Sequence, residues 1–134
     1  LSQIVWSPVA QGVLTGKYLP GRPVPEGSRA TDAKGGKSTI SRFMTDDVLT
    51  RVQNLRPIAD ELCLSMAQLA VAWVLQNENV AAAIIGASRP EQIAENVKAS
   101  GVEIPSELMS RIDEALGGIV ERDPAKTQPP ATRP

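Results

Sequence analysis

The sequence predicts an α/β fold in which short parallel strands are joined through helices. Two β-favouring runs carry the first part of this, SQIVW at 2–6 and VAAAIIG at 80–86; the second is apolar throughout and lacks polar alternation, as expected of a parallel strand covered on both faces. Between them lie segments with helical periodicity, and strands joined through helices run parallel with a right-handed crossover. Two strands alone make a poor sheet, so further strands are expected in the intact protein.

Each element follows from local chemistry. SQIVW is stopped by Ser7 and Pro8, which reads as a buried strand opening into a loop. From about 8 to 45 come six of the ten glycines and four of the eleven prolines, including those of GKYLPGRPVPEG and KGGK, so a long loop is expected, of the kind that serves as a lid or binding segment or is partly disordered. Between positions 14 and 37 it is locally basic, with Lys17, Arg22, Arg29, Lys34 and Lys37 against Glu26 and Asp32. Thr45, Asp46 and Asp47 make a helix start, acidic groups being favoured at the positive end of the helix dipole. Val48, Val52, Leu55, Ala59 and Leu62 then predict an amphipathic helix over about 46–62, kinked or briefly broken at Pro57.

Ser65 and Gln68 have capping-box spacing ahead of a helix over about 66–77. Its apolar residues, Leu69 to Leu75, surround the axis, so it is expected to be buried on most sides with Trp73 in the core. A helix over 90–99 is expected to carry Ile93 and Val97 inward. A last helix begins near Pro105, runs through Leu108, Met109, Ile112 and Leu116, and stops at Gly117 and Gly118. The ordered segment is thus 1–118, and the proline-rich tail 119–134 is expected to be extended or disordered.

Composition narrows the function classes. With 42% apolar and 22% charged residues the chain reads as globular, and a net charge of −1 gives no global case for nucleic acid or an anionic membrane surface. Cys63 is the single cysteine, which excludes an internal disulfide or a cysteine-rich metal site, and it reads as an inert thiol in a reducing cytoplasm. No apolar run approaches the roughly 20 residues of a membrane span. Histidine is absent, which removes the usual proton-transfer group near neutral pH and the commonest metal ligand. Leu1 opens directly on an apolar run, which suggests a segment cut from a longer chain. Apolar faces made for the absent part would then promote self-association or pairing with it.

The candidate chemistry lies in two stretches. In IIGASRPEQIAEN, Ser88 and Glu91 have S-x-x-E spacing and Pro90 suits a first helical turn. A helix start presents free backbone N–H groups, and Arg89 beside it adds a planar cation suited to phosphate; on these residues alone a merely capped, solvated turn stands equally open. In WSPVAQGVLTGKY, Trp6 either packs in a core or offers a flat face to a ring-shaped ligand. Gly12 and Gly16 with Lys17 make a loop able to approach a pyrophosphate, although it is no P-loop. Glu95 and Asn96 lie close enough to the helix start to reach a ligand bound there. No carboxylate pair, nucleophile motif or metal cluster can be named.

Together, WSPVAQGVLTGKY at 6–18 and IIGASRPEQIAENVKA at 84–99 resemble the aldo-keto reductases, in particular the branch of the potassium-channel beta subunits and their bacterial relatives. The resemblance runs from about 1 to 118 with the order of that family's last two strand–helix units. It implies the carboxyl-terminal part of an eight-stranded (β/α) barrel of about 250 residues, binding NADP(H) in extended form without a Rossmann domain. It implies that Trp6 stacks on the nicotinamide, while Ser7, Pro8, Val9, Ala10, Gln11 and Lys17 follow the pyrophosphate. Arg29 would be a basic lid residue. Gly86, Ser88, Arg89, Gln92, Glu95 and Asn96 would form the adenosine end, with Ser88 and Arg89 near the 2′-phosphate.

The family's catalytic tyrosine and its aspartate, lysine and histidine partners come from earlier strands, absent here, and Tyr18 does not match that tyrosine, so no catalytic residue is carried over. The expected function is the cofactor-binding portion of a reductase of aldehydes or ketones, inactive as 134 residues. The alternatives are a cofactor-sensing interaction module and a phosphate-binding part of an unrelated barrel.

Overall fold

A computed structural model of the chain describes residues 1–123 and 125–126. Strand β1, Gln3–Trp6, pairs in parallel with strand β2, Val80–Ile84, with Ile4 opposite Ala82, Val5 opposite Ala83 and Trp6 opposite Ile84. An irregularity between Gln3 and Ile4 sets this register, and the Gln3 N–H donates to the Asn79 carbonyl just ahead of β2. The expected parallel α/β arrangement is present.

Among the described residues six α-helices accompany the strands: α1 Gly36–Ile40, α2 Asp46–Gln53, α3 Arg56–Glu61, α4 Met66–Leu75, α5 Pro90–Asn96 and α6 Ser106–Leu116. Helix α4 is the hub. Its capping box is formed, with Gln68 N–H donating to Ser65 Oγ and Ser65 N–H to Gln68 Oε1, and Met66 to Ala72 are all buried except Ala67. It packs on β2, α3 and α5 and shares one hydrophobic core with Leu49 and Val52 of α2, Ile58 of α3 and Ile112 and Leu116 of α6, where α2 and α3 pack on α6. The 46–62 segment breaks at Asn54 and Leu55, and Pro57 sits in the first turn of α3, where its missing N–H leaves no carbonyl unpaired.

The 8–45 segment differs from an open loop. It contains short 3₁₀ turns at Ala10–Thr15, Arg29–Thr31 and Ser41–Phe43 besides α1, and it inserts Val13, Tyr18, Ala30 and Ile40 into the core. Ile119 and Val120, at the start of the expected tail, are partly buried against that core, while residues 124 and 127–134 of the tail lie outside the described residues.

Several expectations are corrected, the first being that β1 is a buried strand, since Ile4 and Trp6 are exposed. Ile93 and Val97 do not point inward: they are 58% and 61% exposed, and from the 90–99 segment Ala99 is the buried residue. Nor is β2 covered on both faces, since Ala81, Ala82 and Ile84 are exposed. These have one cause: the apolar pattern encodes which faces are to be buried, and among the described residues too little lies against those faces to cover them. Trp73 is likewise half-buried rather than fully enclosed, and its indole N–H has no partner among the described residues. Cys63 is exposed, in a left-handed conformation after α3. Among the described residues no single helix is long and apolar enough to cross a membrane.

Candidate functional site at the carboxyl ends of the strands

The first site segment leaves β1. Trp6 closes the strand 73% exposed, followed by a tight reversal. Of the four non-glycine residues with left-handed φ among those described, three lie here: Ser7 at 60°, Ala10 at 47° and Gln11 at 59°, followed by Gly12 at 100°. Such backbone costs about 1–3 kcal/mol per residue and persists where surrounding contacts over-determine it, often at ligand-gripping turns. Those contacts are visible. Gln11 Nε2 donates to Ser7 Oγ at 2.7 Å, Ala10 N–H to the Ser7 carbonyl and Leu14 N–H to the Val9 carbonyl, over a buried Pro8. Val9 and Ala10 pack against the core below.

Lys17 lies back across this turn. Its Nζ is 3.3 Å from where a Cβ on Gly12 would stand and 5.2 Å from the centre of the Tyr18 ring. The bare Gly12 α-carbon therefore makes room for an ammonium group beside the strained turn. Tyr18 itself is 1% exposed and its hydroxyl has no hydrogen-bond partner among the described residues. Such a phenol can neither reach a ligand nor gain from its oxygen. Tyr18→Phe is thus expected to leave stability unchanged or raise it by up to about 1–2 kcal/mol; a lowered urea midpoint would show that the hydroxyl has a partner after all.

The second segment leaves β2. Here the predicted cap is corrected: Ser88 does not cap α5 and Glu91 does not complete a box with it. Instead Gln92 Oε1 accepts from Ser88 N–H at 2.8 Å, Arg89 N–H at 3.1 Å and Ser88 Oγ at 3.2 Å. The helix begins one residue later than the S-x-x-E spacing assumes, with extended Arg89 as its boundary, so Gln92 rather than Glu91 stands three positions on. One amide oxygen thereby fixes the backbone from which Arg89 projects, exposed and without an ion pair among the described residues. Gly86, just before, has open space around its α-carbon. Because α5 has seven residues, its dipole adds little and the guanidinium is the main cation of this turn.

Farther along α5, Glu95 is held from the core. Buried Gln68, 5% exposed, donates its Nε2 to the Glu95 carbonyl at 2.8 Å and to Glu95 Oε2 at 3.2 Å, while Lys98 pairs with Oε1 at 2.7 Å. Asn96 lines an open cavity of about 310 Å³ with Val71, Leu75, Ile85 and Ile93.

What joins the segments is the strand register. Trp6 stands opposite Ile84 in a parallel pair, so both chains leave the sheet at the same end and their exit turns, 7–17 and 85–92, begin side by side. Arg29 is not brought into this group by any hydrogen bond or ion pair among the described residues; it is exposed on its own 3₁₀ turn, packed on Gly36 of α1. Sequence reasoning missed Gln53 and Arg56, which bond the Gly16 carbonyl from α2 and α3, and missed that Gln68 reaches Glu95 beyond its capping role. No local signal could have found them, since the partners lie 27 to 40 positions apart.

Comparison with known proteins supplies the family. Residues 1–116 match the model of the aldo/keto reductase family. A probable voltage-gated potassium channel subunit beta of Oryza sativa subsp. japonica is 42% identical over 96% of this chain and 38% of its own length. Its counterpart from Arabidopsis thaliana is 50% identical over 72% of this chain and 29% of its own. An L-glyceraldehyde 3-phosphate reductase of Escherichia coli O157:H7 is 37% identical over 84% of this chain and 33% of its own. The chain therefore spans about a third of the length of these relatives. With two strands, their exit turns and every helix through α6 falling within the matched residues, the chain belongs to the aldo/keto reductase family, in the branch of these channel-subunit and reductase relatives.

Proposed function

We propose that this chain is the NADP(H)-binding, carboxyl-terminal portion of a (β/α) barrel oxidoreductase whose full-length form reduces aldehydes or ketones. The observation that carries the reading is the parallel Trp6–Ile84 pairing, which starts a strained, lysine-bearing turn and an arginine-bearing turn from one end of a sheet. In α/β proteins that end is where phosphate groups are bound.

The residues fit the group. Exposed Trp6 offers a flat apolar face for the nicotinamide ring. Ser7, Pro8, Val9, Ala10 and Gln11 supply a backbone turn, and Lys17 a cation above Gly12, for the pyrophosphate. Ser88 and Arg89, on a backbone held by Gln92, meet the 2′-phosphate beyond the open α-carbon of Gly86. Glu95, aimed by Gln68, and Asn96 meet the adenine, whereas Arg29 stands on its own turn of the 8–45 segment and would have to swing across to serve as the lid residue. NADPH, when bound, supplies a hydride; the proton must come from elsewhere, since Tyr18 is enclosed. Ile4, Ile84, Ile93 and Val97 then face the remaining barrel.

The test is NADPH oxidation with a small aldehyde, the substrate class in the bacterial relative's name. The intact protein is expected to turn over and the 134-residue chain alone is not. Turnover by the isolated chain would contradict an acid supplied from outside it.

A further inference from the structure

We propose that Gln53 and Arg56 are positioning residues for Lys17: they clamp the backbone on either side of it and thereby aim its ammonium at the pyrophosphate. This rests on the cofactor reading above. Gln53 Nε2 donates to two carbonyls, Gly16 and Tyr18, each at 3.1 Å. Arg56 Nη2 donates to the same Gly16 carbonyl at 3.4 Å and to Gln53 Oε1 at 3.4 Å, tying the two clamping side chains together.

The geometry of this clamp constrains one residue above all. The Gly16 carbonyl belongs to the peptide plane entering Lys17 and the Tyr18 carbonyl to the plane leaving Tyr18. Holding both from a single amide nitrogen restricts the rotations between them, and those rotations set the direction in which the Lys17 side chain departs. The flanks are immobilised as well, since Gly16 and Tyr18 are buried while Lys17 is exposed. Gly16 has φ of 75°, which favours glycine, and a Cβ there would stand 2.8 Å from Arg56 Nη2 and push the Arg56 arm of the clamp aside. A flexible lysine placed this way loses less conformational freedom when it meets an anion, and the saving appears as affinity.

The experiment uses the intact protein and NADPH itself. Gln53→Leu is expected to weaken NADPH binding, measured by fluorescence titration, by about tenfold while kcat at saturating NADPH stays unchanged. Lys17→Met should weaken it at least as much, and the double variant should bind no worse than Lys17→Met alone, because the clamp acts through the lysine. The salt dependence of binding should flatten most in Lys17→Met, which removes the cation, and to a smaller extent in Gln53→Leu, where the cation is no longer held against the anion, an effect a purely structural role for Gln53 would not produce.

Should Gln53→Leu fail to fold, Arg56→Met, at an exposed position, gives the same readout with an expected loss of about threefold. Additive losses, or an unaffected Gln53→Leu beside a weakened Lys17→Met, would overturn the clamp while sparing the cofactor reading. An unaffected Lys17→Met would remove the lysine from the cofactor site and overturn both assignments of it.

Discussion

Arg89→Ala in the intact protein is expected to weaken NADPH binding by about ten- to a hundredfold and NADH binding hardly at all. The magnitude follows from the 1.5–3 kcal/mol or so that a hydrogen bond to a charged group is worth, concentrated here in one side chain. Arg89 is the exposed cation of the turn leaving β2, it spends no charge on an ion pair among the described residues, and Gln92 holds its backbone N–H. A guanidinium fork matches two phosphate oxygens at once, so Arg89→Lys should recover part of the loss but not the whole. Titration of both cofactors against both variants decides it. Equal losses for NADPH and NADH would mean that Arg89 does not read the 2′-phosphate.

Leu69→Ala should cost about 2–5 kcal/mol of stability, the range for truncating a leucine in a packed core. Leu69 is 2% exposed in the middle of α4, the helix that packs on β2, α3 and α5, and it borders an apolar cavity of about 240 Å³ with Val52, Leu55 and Ile112. Surroundings already short of atoms collapse poorly around a deletion, which favours the upper part of that range. Urea unfolding gives the value. Leu19→Ala, at an exposed site, is the control and should change stability by less than about 0.5 kcal/mol. A Leu69→Ala midpoint close to that of the control would remove α4 from the centre of the core.

Elements whose burial partner lies within the chain were legible in the sequence. The stripe Leu108, Ile112 and Leu116 in α6 is buried as its spacing implies, and the helix ends at Gly117. The all-round apolar composition of α4 and its Ser65–Gln68 box appear as read. Local patterns of this kind succeed because helix periodicity and capping depend on residues three or four apart, whose geometry the backbone itself dictates.

The site was legible in kind but not in detail. Strong punctuation after each strand marked both turns, yet the 8–45 stretch read as loop because its glycines and prolines hid the short turns that bury Val13, Tyr18 and Ile40. At the β2 exit the spacing favoured Glu91, whereas the neutral amide of Gln92 does the bonding: the extended Arg89 moves the helix boundary along by one residue, and the hydroxyl of Ser88 donates instead of accepting.

The amino-acid order by itself determined both strands and helices α2 to α6, which faces are apolar, and which turns carry cations, because these are set by neighbours within a helical turn or a strand pleat. The tertiary structure alone decided the Trp6–Ile84 register that brings the turns together, the reach of Gln53 and Arg56 to Gly16 and of Gln68 to Glu95, and the exposure of Ile93 and Val97. Those outcomes depend on distances between residues remote in the chain, which no local pattern encodes, and in the last case on whether an apolar face has anything to meet.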